Sequence, residues 1–367
     1  MTSVGKCVGI GLVVVAAAQV SASAATQPRH HPKPAPSHHK VAVKPAVPAP
    51  SALSRRIDEL GKGFDGRVGI AVRAIEEGWE TGWKDNELYP QQSVSKLWVS
   101  ITALDAVDRG RVSLDDRVTL TRADLTLFHQ PIAAEVLQSG TYTTTLDDLL
   151  TRAITTSDNT ANDKLMRSVG GPAAVRSMIA RKHLGAIRFA NGERFMQSKI
   201  AGLTWSPSYS VNGNFFEARD ALPIKARSAA FNRYIADPYD GAAPSAIVGA
   251  LAKLKRGELL SPQSTAHLLD VMSHTHTGPN RLKGGLQPGW TLSHKTGTGQ
   301  ELGGVQAGYN DIGILTAPDG KSYSVAVMIK KTSTPLSVRM KLMNNVVEAV
   351  IEQHDRLGGS SYVSRRR

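Results

Sequence analysis

The spacing of apolar residues changes along the chain, and each change marks an element. Leu53, Ile57, Leu60 and Phe64 recur every three or four positions, which predicts a helix over residues 51–64. From Arg67 to Ile75 the period drops to two: Val68, Ile70, Val72 and Ala74 alternate with Gly69, Ala71 and Arg73, as in a strand. Glu76-Glu77-Gly78 reads as a turn and Trp79 to Trp83 as the paired strand of a hairpin. Helical spacing returns with Val94, Leu97, Trp98, Ile101, Leu104 and Val107, and stops at Asp108-Arg109-Gly110. Val112 to Ile132 carries turns and no clean period.

Thr144-Thr145-Leu146-Asp147-Asp148 has a threonine cap and first-turn acids, so a helix starts there, with Leu146, Leu149, Leu150, Ala153 and Ile154 as its stripe. It runs out at Thr155-Thr156. Ser157-Asp158-Asn159 fills the break, and helix resumes over Asn162 to Val169 before Gly170-Gly171-Pro172. Helices are also predicted from Pro244 to Leu254 and from Pro262 to Met272. Strands are predicted over Trp290–Lys295, Ala307–Leu315 and Tyr323–Ile329, the last two joined through Pro318-Asp319-Gly320. A closing helix spans Leu336 to Gln353. Strands early and late with helices between argue an α+β fold. An antiparallel sheet built from both chain ends is flanked by the first and last helices. An all-helical lobe, about residues 93–270, is inserted between residues 51–92 and 271–357. No internal repeat is visible.

The ends differ from this body. Lys6, the apolar run Cys7–Val20 and the small residues Ala22-Ser23-Ala24 form the pattern of a secretory signal peptide over residues 1–25. The run is short for a bilayer span. Residues 26–50 form a Pro-, His- and Lys-rich linker of extended character, whose His30, His31, His38 and His39 are only a compositional hint of metal binding. Residues 358–367 read as a disordered basic tail. Cys7 is the single cysteine, so a processed chain has no disulfide, no thiol nucleophile and no cysteine-bound zinc.

The net charge of +13 suggests nucleic acid until it is located. Of 44 basic residues, eleven lie in residues 1–57 and 356–367, which hold no acid; residues 58–355 carry 33 basic against 31 acidic residues. A body so close to neutral does not indicate a basic DNA-binding face. The basic ends either touch anionic envelope surfaces or serve as soluble tails.

Chemistry is concentrated in three short stretches. Ser93-Val94-Ser95-Lys96 puts an amine almost one helical turn after a hydroxyl, near a helix start where developing negative charge is favoured. Alone, such a match arises about once by chance in a chain of this length. Ser157-Asp158-Asn159 and Lys295-Thr296-Gly297 follow it in order. Together the three resemble the motif set of class A serine β-lactamases, within the penicillin-recognising serine hydrolases. The resemblance covers roughly residues 51–357 and implies the same two-part architecture, with a cleft between the parts.

The resemblance also implies roles. Ser93 is the nucleophile, and its backbone N–H with that of Thr298 forms the oxyanion hole. Lys96 belongs to the proton-transfer network, since a buried lysine near another cation can yield its proton. Ser157 passes a proton to the leaving nitrogen, and Asn159 bonds the substrate amide. Asp158 is structural. Lys295 lines the cleft, and Thr296, Gly297 and Thr298 face the substrate carboxylate. Arg281, 14 positions before Lys295, is the carboxylate's electrostatic partner or else a solvated surface arginine. Glu193, 36 positions after Ser157, activates the deacylating water; Glu217 competes for that role. The family's Glu-x-x-Leu-Asn is not intact, because Met196 and Gln197 stand at its last two positions. Residues 198–242, with Trp205, Tyr209, Phe215, Phe216, Tyr234 and Tyr239, exceed the family's usual length and either cover the cleft mouth or pack as a cap.

The expected activity is that of a secreted, periplasmic, monomeric hydrolase that opens small-molecule β-lactams without metal or cofactor. A D-alanyl peptidase or esterase of the same superfamily, or a non-catalytic penicillin-binding envelope protein, are the alternatives. Reaction with a penicillin distinguishes them.

Overall fold

In the computed structural model the described residues are 47–362, with side chains as far as Gly358. The signal-peptide and His-rich readings therefore fall outside the described residues, apart from the last few positions of the linker. Among the described residues no helix is long and apolar enough to cross a membrane.

The chain opens with α1 (Ser51–Gly63), β1 (Arg67–Ala74), β2 (Glu80–Trp83) and the short β3 (Tyr89–Pro90), then α2 (Lys96–Asp108). The middle holds β4 (Arg117–Thr121), α3 (Ala133–Ser139), β5 (Thr141–Thr145), α4 (Leu146–Thr155), α5 (Asn159–Ser168), α6 (Gly171–Arg181), α7 (Glu193–Ile200), α8 (Asn214–Asp220), α9 (Ile224–Ala236) and β6 (Gly241–Ala242). The rest is α10 (Pro244–Lys255), α11 (Pro262–Ser273), β7 (Thr291–Thr298), β8 (Glu301–Leu302), β9 (Val305–Thr316), β10 (Ser322–Thr332) and α12 (Leu336–Tyr362).

The main sheet runs β2-β1-β10-β9-β7, with β8 paired to β9, and every pairing in it is antiparallel. Strands from both ends of the chain thus sit side by side: Val72 faces Val325, and Lys295 faces Ile312. The alternation read in β1 has a physical outcome on each face. Val68, Ile70 and Val72 pack with Leu53 and Ile57 of α1 and Met343, Val347 and Val350 of α12. Ala71, Ile312 and Met328 face the other core, which joins Val248 and Leu251 of α10 to Trp98 and Leu104 of α2. The α+β architecture expected from the sequence is the one observed.

Three local expectations need correction. Residues 112–132 are not purely turns: β4 pairs with β5 in a separate two-stranded ribbon, Val118 opposite Thr144. α5 begins at Asn159 rather than Asn162, because the Asp158 carboxylate accepts the Ala161 N–H and so caps the helix immediately after Ser157. The closing helix does not stop at Gln353. It continues to Tyr362 through Gly358, into the stretch read as a disordered tail, and at this end of the chain residues 363–367 lie outside the described residues. An interior glycine costs a helix about 1 kcal/mol. The preceding turns, docked through Val350, Ile351 and a buried His354, are enough to carry it.

Candidate active site

Ser93 stands in a 3-10 turn, Gln92–Ser95, that leads directly into α2. α2 is buried from Lys96 through Ala106, so the turn is set on a helix packed into the core. The residue before the serine is strained: Gln92 has φ +54°, a left-handed conformation that costs a side-chain-bearing residue about 1–3 kcal/mol. It is gripped from three sides. Its backbone N–H donates to Asp240 Oδ2 (2.7 Å), its Nε2 donates to Tyr234 Oη (2.5 Å), and its Oε1 accepts from Gln197 Nε2 (2.9 Å).

Lys96 is the hub. Fully buried, its Nζ donates to Ser93 Oγ (2.6 Å), Asn159 Oδ1 (2.7 Å) and Glu193 Oε1 (2.7 Å). Three oxygens from three different parts of the chain thus close on one nitrogen. Glu193 is buried as well, at the first turn of α7. Its backbone N–H donates to Asp163 Oδ1 (2.9 Å), which ties α7 to α5. Burial, and then the charge of Glu193 beside it, push the Asp163 carboxyl upward. Gln197, one turn after Glu193, donates to Glu193 Oε2 at 3.2 Å.

The other wall comes from β7 and α5. Lys295 Nζ donates to Ser157 Oγ at 3.0 Å, and Ser157 holds φ +62°. Burial, followed by the nearby charge of Lys96, holds the Lys295 ammonium well below the usual lysine range. Asn159 fixes its amide on the Leu127 carbonyl (2.8 Å), so its Oδ1 is left for Lys96. Asp158 accepts the N–H groups of Ile132 (2.7 Å) and Ala161 (2.9 Å), the structural role read for it.

Arg281 is not a surface residue. It is 8% exposed, its guanidinium lies 3.9 Å from the centre of the Tyr309 ring, and Nη1 donates to the carbonyls of Gly297 and Asn310 (3.1 and 2.7 Å). Its Nη2 donates to Thr298 Oγ1 at 2.6 Å, so the cation is aimed at the outer end of β7. Thr296 Oγ1 pairs with Thr277 Oγ1 at 2.6 Å. Gly297 permits a close approach: a Cβ there would lie 2.3 Å from the Gln91 carbonyl oxygen and 3.2 Å from Val94 N. Strand and serine turn can touch only because this position has no side chain.

These residues enclose a cleft of about 530 Å³ whose lining includes Ser93, Ser157, Asn159, Gln197, Arg281, Thr296 and Thr298. Glu193, Lys96 and Lys295 sit in the wall behind it. Glu217 is exposed on α8 and is not among the residues that line the cleft. The sequence reading missed Phe128, His129, Arg219, Gln300 and Glu301, which complete the rim. No short motif flags them. Phe128, also at positive φ, carries a ring 5.0 Å from Phe215, and Phe215 lies 6.1 Å from Tyr209. Part of the 198–242 stretch is therefore a packed aromatic cap beside the cleft mouth, with Arg219 of α8 on the rim.

Comparison with known proteins agrees with this geometry. The model of the β-lactamase enzyme family matches residues 52–353. β-Lactamase VEB-1 of Pseudomonas aeruginosa is 25% identical over 81% of this chain and 88% of its own length. The extended-spectrum β-lactamase PER-1 of the same species is 29% identical over 77% and 80%. Among solved structures, a β-lactamase from Chitinophaga pinensis superposes with TM-score 0.67 at 25% identity, covering 82% of this chain and 99% of that one. The TLA-3 extended-spectrum β-lactamase gives TM-score 0.67 at 26% identity, covering 83% and 98%. The chain belongs to the β-lactamase enzyme family, as a class A serine β-lactamase.

Proposed function

We propose that the protein hydrolyses β-lactams through an acyl-enzyme on Ser93, released by a water that Glu193 activates. The observation that supports this most is the convergence on Lys96 Nζ of Ser93 Oγ, Asn159 Oδ1 and Glu193 Oε1, all within 2.7 Å.

In acylation, Ser93 Oγ attacks the lactam carbonyl and its proton passes into the Lys96–Glu193 pair. Charge on the carbonyl oxygen meets the backbone N–H groups of Ser93 and Thr298. The C–N bond then opens, and Ser157 delivers a proton to the departing nitrogen. Lys295, disfavoured as a cation by its burial, can hand a proton to Ser157 across their 3.0 Å contact; the proton taken from Ser93 leaves the Lys96–Glu193 pair to the water of the open cleft, from which Lys295 is reprotonated, so Glu193 is again a carboxylate before deacylation. Arg281, Thr296 and Thr298 receive the substrate carboxylate. In deacylation Glu193 takes a proton from water, the hydroxide adds to the ester carbonyl, and Ser93 leaves with a proton returned through Lys96. Such a base contributes typically 10²–10⁴-fold.

A peptidase-like enzyme needs the serine and lysines but no base reserved for water. The buried carboxylate held between Lys96 and Gln197 favours the lactamase over that alternative. Export follows from the N-terminal run around Lys6, Cys7–Val20 and Ala22-Ser23-Ala24. A chromogenic cephalosporin assay on wild type, Ser93→Ala and Glu193→Ala tests the reading. Turnover is expected in the wild type alone. Equal turnover in wild type and Glu193→Ala would refute the assigned base.

A further inference from the structure

Gln197 stands where the family's pattern has asparagine, one methylene shorter, so something must hold the longer arm. The structure supplies a buried chain of hydrogen bonds that begins in the extra stretch, residues 198–242. Asp240 Oδ1 accepts from Tyr234 Oη at 2.9 Å; Tyr234 Oη accepts from Gln92 Nε2 at 2.5 Å; Gln92 Oε1 accepts from Gln197 Nε2 at 2.9 Å; and the same Nε2 donates to Glu193 Oε2 at 3.2 Å. Each of the five residues is at most 5% exposed, so water does not substitute for a missing link.

The chain has a direction. A carboxylate only accepts, so Tyr234 spends its single proton on Asp240 and must accept from Gln92. That turns the Gln92 amide so that its oxygen faces Gln197. Gln197 in turn presents its NH₂ to Glu193, while its Oε1 accepts from Gln300 Nε2 at 3.0 Å. The far end fixes which atoms meet the general base. Asp240 Oδ2 also holds the Gln92 backbone in its left-handed conformation, next to the nucleophile.

We propose that Tyr234 is a positioning residue for deacylation: through Gln92 it orients Gln197, which sets Glu193 Oε2 and the attacking water, while the contacts that serve acylation, from Glu193 Oε1 through Lys96 to Ser93, do not run through it. The inference rests on the functional reading above and adds a role for the extra stretch. Tyr234 touches no reacting atom, so its effect is selective. Tyr234→Phe keeps the ring and removes one hydroxyl. Loss of a buried hydrogen bond predicts a deacylation constant lower by about tenfold.

The experiment is rapid-quench mass spectrometry with benzylpenicillin on the full chain, which reads acylation and deacylation separately. In Tyr234→Phe the acylation constant should stay within about twofold of wild type, an internal check that the fold is intact, while the steady-state fraction of acyl-enzyme rises. Gln92→Met cuts the same chain one link nearer the base and should slow the same step. In a Gln197→Ala background, Tyr234→Phe should add nothing. Equal losses in both steps, no loss in either, or additive effects with Gln197→Ala would each overturn the inference. If the wild type neither acylates nor turns over, the functional reading fails and this inference fails with it; a wild type that turns over beside unchanged variants sinks the inference alone.

Discussion

At the scale of the residue, Arg281 shows how burial changes a prediction. The cation is spent on two backbone carbonyls and Thr298 Oγ1, so it supports the end of β7, and in the proposed function it sets the potential where a substrate carboxylate would lie. A charge-assisted hydrogen bond contributes about 1.5–3 kcal/mol. Arg281→Ala should therefore lower kcat/KM by about ten- to a hundredfold, mostly through KM, and Arg281→Lys by less; steady-state kinetics with a penicillin checks both. Asp240 gives a pH expectation. Burial raises its pKa from 3.8 to about 6, partly offset by the bonds from Gln92 and Tyr234. Between these values the folded state binds the proton that the unfolded state has lost, so Asp240's contribution to stability falls as pH rises from about 4 to about 6 and is level above. The melting temperature of wild type relative to Asp240→Asn should decline over that interval. A difference independent of pH would contradict the assignment. Short motifs and fixed intervals in the sequence singled out Ser93, Lys96, Ser157, Glu193, Lys295 and Arg281, which the fold gathers around one cleft. Gln92, Tyr234 and Asp240 were not singled out in this way: they lie up to 148 positions apart, and only the folded chain brings them together.

At the scale of the element, β7 and the 3-10 turn before α2 must meet without an intervening side chain. Gly297→Ala would set a methyl 2.3 Å from the Gln91 carbonyl oxygen. Overpacking of this kind costs about 1–3 kcal/mol. The clash falls beside Ser93, so the variant should lose at least about a hundredfold in turnover while thermal melting shows only a modest drop. Strong periodicity made α1, β1, α2, α10, β9, β10 and the start of α12 readable. The ribbon of β4 and β5 escaped because Arg-Val-Thr-Leu-Thr and Thr-Tyr-Thr-Thr-Thr offer only two apolar residues and one aromatic between them, too few to show a period of two. The end of α12 escaped because a Gly-Gly pair normally marks a stop. The preceding turns, anchored in the core through Val350 and Ile351, carry the helix past that local signal.

At the scale of the whole molecule, two hydrophobic cores share one sheet, and the cleft opens where the serine turn, α5, α7 and β7 converge. Every rim residue lies between Ser93 and Glu301. Removing residues 1–46 should therefore leave the turnover of the processed body unchanged in the chromogenic assay, and a large loss would place part of the site in that segment. The central claim is that one crevice holds a serine that becomes acylated and a separate carboxylate that frees it. Intact-protein mass spectrometry of Glu193→Ala after a penicillin pulse tests this most directly. The expected spectrum shows one penicillin added, persisting for minutes and traced by subsequent digestion to the peptide containing Ser93, with no such species surviving in the wild type. An unmodified Glu193→Ala protein, or one that clears the adduct as fast as wild type, would contradict the claim.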